Sequence, residues 1–162
     1  MRRREFIAFV GGATLWPSVG YAQQAGLVRR IAVLFPREAD DLEANARFAA
    51  LQEALLKLGW TEGLNVRIEA RWSGLDAGEI RRHAADLVAG GPDVIVATGS
   101  PTLQPLFEAT RTVPIVFVTV GDPVGSGFVD SLSQPGGNAT GFALFEYGLA
   151  AKWVELLKQN CS

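Results

Sequence analysis

The sequence has almost none of the residues from which catalytic and metal centres are built. It holds one histidine, His83, one cysteine, Cys161, and one methionine, Met1. A single cysteine excludes an internal disulfide framework and, with so little histidine, a cysteine-rich zinc site. Any Ser-His-Asp arrangement would have to use His83, which lies between Arg82 and Ala84 on what reads as the polar face of a helix. That position reads as solvated and remote from every strand-end serine. No serine stands in G-x-S-x-G, and no loop ends in Gly-Lys-Ser/Thr. Gly125-Ser126-Gly127 begins a dinucleotide-type glycine pattern, but Asp130 stands where the third glycine belongs. Basic runs are missing beyond the first residues and the formal charge is −2, which argues against a nucleic-acid surface. Cys161, one residue from the end, reads as incidental. The expectation is a protein that is not an enzyme and carries no metal and no cofactor.

What is there is ordinary globular material. Among 162 residues, 48% are hydrophobic and 20% charged, enough apolar content for one domain with a core. The first residues differ from the rest. Arg2, Arg3 and Arg4 precede an apolar stretch from Phe6 to Trp16, and Gly20-Tyr21-Ala22 supplies small residues at a cleavage point before Gln23. This is the build of an export signal over residues 1–22. The apolar stretch falls short of the roughly 20 residues that span a bilayer. Arg3, Arg4, Phe6 and Ile7 fill the twin-arginine pattern, and a general secretory signal with one extra arginine stays open beside it. Its removal takes away three arginines and one glutamate, moving the net charge from −2 to −4. The product is expected in the periplasm, not spanning the membrane after cleavage.

From Arg30 onward short apolar runs alternate with helical patterns, the signature of parallel strands joined by crossover helices. Strands are expected at 30–36, 65–72, 93–99, 113–120 and near 139–144. The period-two pattern of 65–72 marks a strand with one wetter face at the sheet edge. Between them, Ala44, Phe48, Leu51, Leu55 and Leu58 form one helical face, with Gly59 behind it as a C-terminal cap. Asp76 and Glu79 have capping-box spacing ahead of Ile80, Ala84, Leu87 and Val88. A short helix is expected over 101–110 and a helical turn at 128–132. Leu149, Trp153, Leu156 and Leu157 share the face of a last helix. The fold class is α/β, an open doubly wound parallel sheet of about five strands. Right-handed crossovers favour the order 2-1-3-4-5.

In such sheets ligands bind outside the carboxyl ends of the strands, where the order reverses. The candidate ligand-binding residues are therefore Phe35, Thr98, Gly99, Ser100, Asp122 and Pro123. Ser100 stands at an N-cap position with Pro101 as the first helical residue; it either caps its own helix or helps present free backbone donors to an anion. Asp122 before Pro123 either bonds its own turn or receives a ligand ammonium or hydroxyl. Phe35 either stacks on a flat ligand or closes the core, as do Trp72 and Trp153.

The succession "LGWTEGLNVRIEARW", "ADLVAGGPDVIVATGSP", "TRTVPIVFVTVGDPVGSGFVDSLSQPGGNATGF" and "KWVELLK" resembles the tryptophan/tyrosine-type substrate-binding proteins of ABC transporters, over nearly the whole chain. The resemblance implies a periplasmic binding protein of type I, two α/β lobes closing on a small amino-acid-like or aromatic solute. It implies as partners an ABC permease in the inner membrane and its cytoplasmic ATPase. Thr98-Gly99-Ser100 and Asp122-Pro123 match the family's first-lobe pocket loops, with Phe35 at the end of the first strand. Family members continue after "KWVELLK" into a second lobe. The expected division is thus a signal over 1–22, an N-terminal ligand-binding lobe over 23–145, and a crossover helix over 146–162 leading to a lobe missing here, a truncated form whose inactivity is one reading. An exported ligand-sensing module of the same fold and an exported α/β hydrolase-like enzyme are the alternatives.

Overall fold

The computed structural model describes residues 28–144, Lys152 and residues 154–158. The export signal expected over 1–22 and most of the last expected helix, Leu149 and Trp153 included, lie outside the described residues. Eight elements follow one another: β1 (Arg29–Phe35), α1 (Leu42–Lys57), β2 (Val66–Trp72), α2 (Ala77–Ala89), β3 (Val94–Thr98), α3 (Ser100–Ala109), β4 (Ile115–Val120) and β5 (Ala139–Ala143). The strands form one sheet in the order β2-β1-β3-β4-β5, every pairing parallel. β2 lies at an edge, which its alternating sequence anticipates.

Two apolar layers hold the helices to the sheet. On one face Ala32, Leu34, Ile95, Ala97, Ile115, Phe117 and Val120 meet Ile80, Ala84 and Leu87 of α2 and Leu103, Leu106 and Phe107 of α3. Each fully buried large side chain there contributes about 1.5–3 kcal/mol relative to exposure. On the other face Val33 and Phe35 pack beneath Ala44, Phe48 and Leu51 of α1. Asp41 and Asp76 cap α1 and α2, accepting from the Ala44 and Glu79 backbone N–H groups at 2.8 Å.

Three local expectations need correction. Leu58 is 76% exposed, because α1 ends at Lys57 and Leu58 is its cap; Gly59, at φ 86°, then turns the chain away. The turn expected at 128–132 occurs instead at 123–127. Asp122 Oδ1 accepts from Gly125 N–H at 2.7 Å and the Asp122 carbonyl from Ser126 N–H at 3.1 Å, which winds the chain directly after Pro123. Val129 is then free to enter the core, and Phe128 stacks on Phe107 with centroids 5.6 Å apart. His83 is not solvated, for its side chain is only 16% exposed. It lies three residues after Ile80 and four before Leu87, which puts it on the flank of the buried stripe.

The amino ends of β1 and β3 are tied by Asp93. Its carboxylate accepts from the Arg30 backbone N–H at 2.8 Å and from the Arg29 guanidinium at 2.9 Å. The backbone donor first, then the guanidinium, hold its pKa below the usual carboxylate range. A folded-state value below the unfolded one stabilises the fold above the unfolded pKa, about 3.9, and that stabilisation disappears as pH falls through the folded value. Asp93→Asn is therefore expected to be less stable than the parent at pH 7. The gap should close below about pH 4, as read by urea denaturation across pH; a gap constant down to pH 2 contradicts this.

Candidate ligand-binding ledge

The carboxyl ends of β1, β3 and β4 are stitched together by side chains and main chain of the loops that follow them. Thr98 Oγ1 donates to the Leu34 carbonyl at 2.9 Å, locking the end of β3 to that of β1. Gly99 N–H donates to the Val118 carbonyl at 2.9 Å, locking it to β4 on the other side. Gly99 has φ 76°, a left-handed conformation that glycine adopts without strain, and a Cβ there would come within 3.4 Å of the Pro36 ring. Ser100 Oγ then accepts from the Gly121 N–H at 3.2 Å. The three loops anticipated from strand-end reasoning thus converge at one rim of the sheet.

The role of Ser100 differs from expectation, and Pro101 moves from first to second helical residue. Ser100 is not the N-cap of α3; Gly99 is, and Ser100 is already helical with Pro101 behind it. The left-handed turn at Gly99 completes the strand-to-helix reversal one residue earlier, so the Ser100 hydroxyl reaches across to the next loop. As a consequence no side chain caps α3, in contrast with α1 and α2. Of the first-turn backbone groups of α3, Gly99 N–H is held by Val118, Pro101 has no N–H and Thr102 N–H donates to the Gly99 carbonyl at 3.4 Å, so the Ser100 N–H is the donor left for solvent or a ligand. Thr102, fully buried, secures the turn by donating to the Gly99 carbonyl at 2.9 Å.

Asp122 bonds its own turn through Oδ1, and among the described residues its carboxylate has no cationic partner. Pro123 opens the turn, its carbonyl accepting from Phe128 and Val129 N–H at 2.9 and 3.2 Å. Phe35 is only 3% exposed. Its ring stacks on Trp72 at 5.6 Å and meets Phe48 edge-on at 6.0 Å, so the packing favours the core alternative and makes Phe35 a support beneath the rim. The Trp72 indole N–H in this cluster is buried without an acceptor among the described residues.

One feature of this rim escaped the sequence. Thr119, near the end of β4, has φ 57° and is the sole non-glycine residue with positive φ among those described. Such a backbone costs a β-branched residue on the order of 1–3 kcal/mol. The polar threonine inside "IVFVTV" is the only cue the sequence carries. At the opposite rim a recess of about 10 Å³ lies among Arg30, Arg67, Glu69, Leu87, Gly90 and Pro92. That is room for one water at most, and it lies at the amino ends of the strands, away from the converging loops. No group of residues suited to a metal ion and no helix long and apolar enough to cross a membrane occurs among the described residues.

Comparison with known proteins accords with this geometry. The profile described as ABC transporter substrate binding protein matches residues 30–161. A tyrosine-binding protein of Clostridioides difficile is 34% identical over 106 residues, 65% of this chain and 30% of the relative. Among solved structures, a ligand-free, open substrate-binding protein with adhesive properties from Clostridium difficile superposes with TM-score 0.69 at 31% identity, covering 81% of this chain and 43% of the other. A Streptococcus pneumonia ABC domain in complex with L-Trp gives TM-score 0.65 at 29% identity, covering 71% and 38%. This chain therefore spans less than half the length of these relatives. With a matched profile over most of its residues and the sheet order of a type I periplasmic binding protein lobe, the chain belongs to the ABC transporter substrate-binding protein family.

Proposed function

We propose that this chain is the extracytoplasmic solute-binding component of an ABC importer and holds a small amino-acid-like, aromatic solute at the carboxyl ends of β1, β3 and β4. The observation that carries the proposal is the Ser100–Gly121 hydrogen bond, which joins the loops after β3 and β4 into one polar ledge beside the uncapped start of α3. Thr98, Gly99, Ser100, Asp122 and Pro123 form the ledge, and Phe35 supports it from below. The Ser100 N–H at the positive end of α3 suits a solute carboxylate, and the Asp122 carboxylate suits an ammonium. The tyrosine-binding and tryptophan-complexed relatives support an aromatic amino acid as the solute class. Residues 1–22 direct export to the periplasm, residues 146–162 lead into a second lobe that completes the cage, and a membrane permease with its ATPase receives the solute.

The test is an NMR titration of the 15N-labelled chain with L-tyrosine and L-tryptophan up to millimolar concentration, against L-glutamate and L-lysine as controls. The aromatic amino acids are expected to shift the amides of Gly99, Ser100 and Gly121 selectively. Ser100→Ala removes the acceptor of the Gly121 N–H, costs about 1 kcal/mol of stability, and is expected to weaken binding about tenfold, the equivalent of one charge-assisted hydrogen bond. Shifts confined to the Arg30 and Gly90 recess, or equal responses to all four amino acids, refute the proposal.

A further inference from the structure

We propose that Thr119 is a ligand-contacting, specificity-determining residue whose side-chain hydroxyl hydrogen-bonds the solute at the strand-end ledge; this rests on the solute-binding function proposed above. The starting point is a break in the side-chain alternation of β4. Ile115 and Phe117 are fully buried on the face covered by α2 and α3, and a period of two would put residue 119 beside them. Val120 takes that place instead, also fully buried, while Thr119 is half-buried. The register states how this happens. Phe117 pairs with Gly141 and Val120 with Ala143, so three steps along β4 match two along β5. One extra residue is inserted, and Thr119 in the left-handed region accommodates it.

The insertion accounts for the backbone but not for the residue. Glycine is the usual occupant of a left-handed bulge position because it lacks the Cβ that makes this conformation unfavourable. Val120 would return to the core with glycine at 119 as well. What threonine adds at that point is a hydroxyl. Three nearby threonines use theirs internally: Thr98 at the end of β3 donates to Leu34, Thr102 in α3 to Gly99, and Thr110 at the α3 C-cap accepts from the Thr112 and Val113 N–H groups. The Thr119 hydroxyl has no partner among the described residues, and it is not shut away from solvent, for it is absent from the buried unpaired atoms, the Trp72 and His83 nitrogens. It stands two residues before Gly121, whose N–H is held by Ser100, and one after Val118, whose carbonyl is held by Gly99. A strained residue with a spare hydroxyl, flanked on both sides by the bonds that assemble the ledge, has the placement of a ligand contact. A hydroxyl can both donate and accept, which suits the carboxylate or ammonium of an amino acid.

Three variants of the full chain separate this role from a structural one. Thr119→Val keeps the β-branch and the strain but removes the hydroxyl. It is expected to weaken L-tyrosine or L-tryptophan binding about tenfold in the NMR titration, a loss typical of a single charge-assisted hydrogen bond, without altering amide positions beyond the ledge. Thr119→Ser is expected to restore affinity to within about threefold. Thr119→Gly is expected to lose binding as Val does while melting about 3 °C higher, since it relieves the left-handed strain. Wild-type affinity in Thr119→Val overturns the assignment. If the parent chain responds to neither amino acid, the solute proposal fails, and melting judges Thr119 separately. A higher melting temperature for Thr119→Gly then supports strain held for a site, and a lower one assigns Thr119 to the fold and overturns the inference.

Discussion

Replacing Gly141 by alanine is expected to cost the fold about 3 kcal/mol, at the upper end of what overpacking a close-packed interior produces. A Cβ on Gly141 would overlap the Phe117 carbonyl oxygen and lie 2.7 Å from its nitrogen. Both are backbone atoms of an interior strand, so no rotamer change can make room. β5 would have to shift away from β4, breaking the pairings of Ile115 with Ala139 and Val120 with Ala143 on either side. The loss is a large fraction of the stability of a marginal domain, which typically has about 5–15 kcal/mol in all. Thermal melting should fall by about 10 °C for a chain of this size. Gly137→Ala is the control, because it has no atom within 4 Å and no positive φ. Equal melting temperatures for the two variants would show that β5 does not approach β4 this closely. The effect should also reach function, because the same bulged pairing sets where Thr119, Gly121 and Asp122 leave the sheet.

This close approach is the kind of feature a sequence does not display. "NATGFALF" reads as a short strand, and the glycine within it is a cue to a bulge or a near backbone, without saying which partner approaches. The sheet order was legible because it follows from the alternation of elements and from crossover handedness, which depend on pattern over tens of residues. The meeting of the 35–36, 98–100 and 121–123 loops was legible for the same reason, since the topology alone puts all three at one rim. What escaped was decided by single backbone angles. Gly99 in the left-handed region moved the cap of α3 by one residue and gave Ser100 a cross-loop partner in place of its own helix. Asp122 pulled the following turn forward by bonding Gly125. Thr119 absorbed an inserted residue that period-two reasoning over 113–120 had no means to see. His83 misled for a different reason: Arg82 and Glu79 meet its Nε2 at the helix surface, while its Nδ1 is buried on the flank of the stripe that Ile80 and Leu87 form.

Phe35 carried two readings in the sequence, and one pair of substitutions distinguishes them. Phe35→Ala is expected to cost about 3–5 kcal/mol, the range for deleting a buried aromatic ring that cannot be replaced by collapse. Collapse is hindered here because the ring is held between Trp72 and Phe48, which also pack on each other edge-on at 5.7 Å. Of that cost, about 0.5–1.5 kcal/mol per aromatic pair is geometric and belongs to the ring contacts themselves. The variant is therefore expected to be largely unfolded at 37 °C, as circular dichroism would show, and it says nothing of binding by itself. Phe35→Leu retains most of the volume and is expected to cost about 1.5 kcal/mol. Its amide shifts with L-tyrosine and L-tryptophan should match those of the parent, because the ring presents no free face at the rim. If Phe35→Leu instead melts like the parent and loses the aromatic response, Phe35 is a stacking platform for the solute, and the ledge extends across β1 to include it.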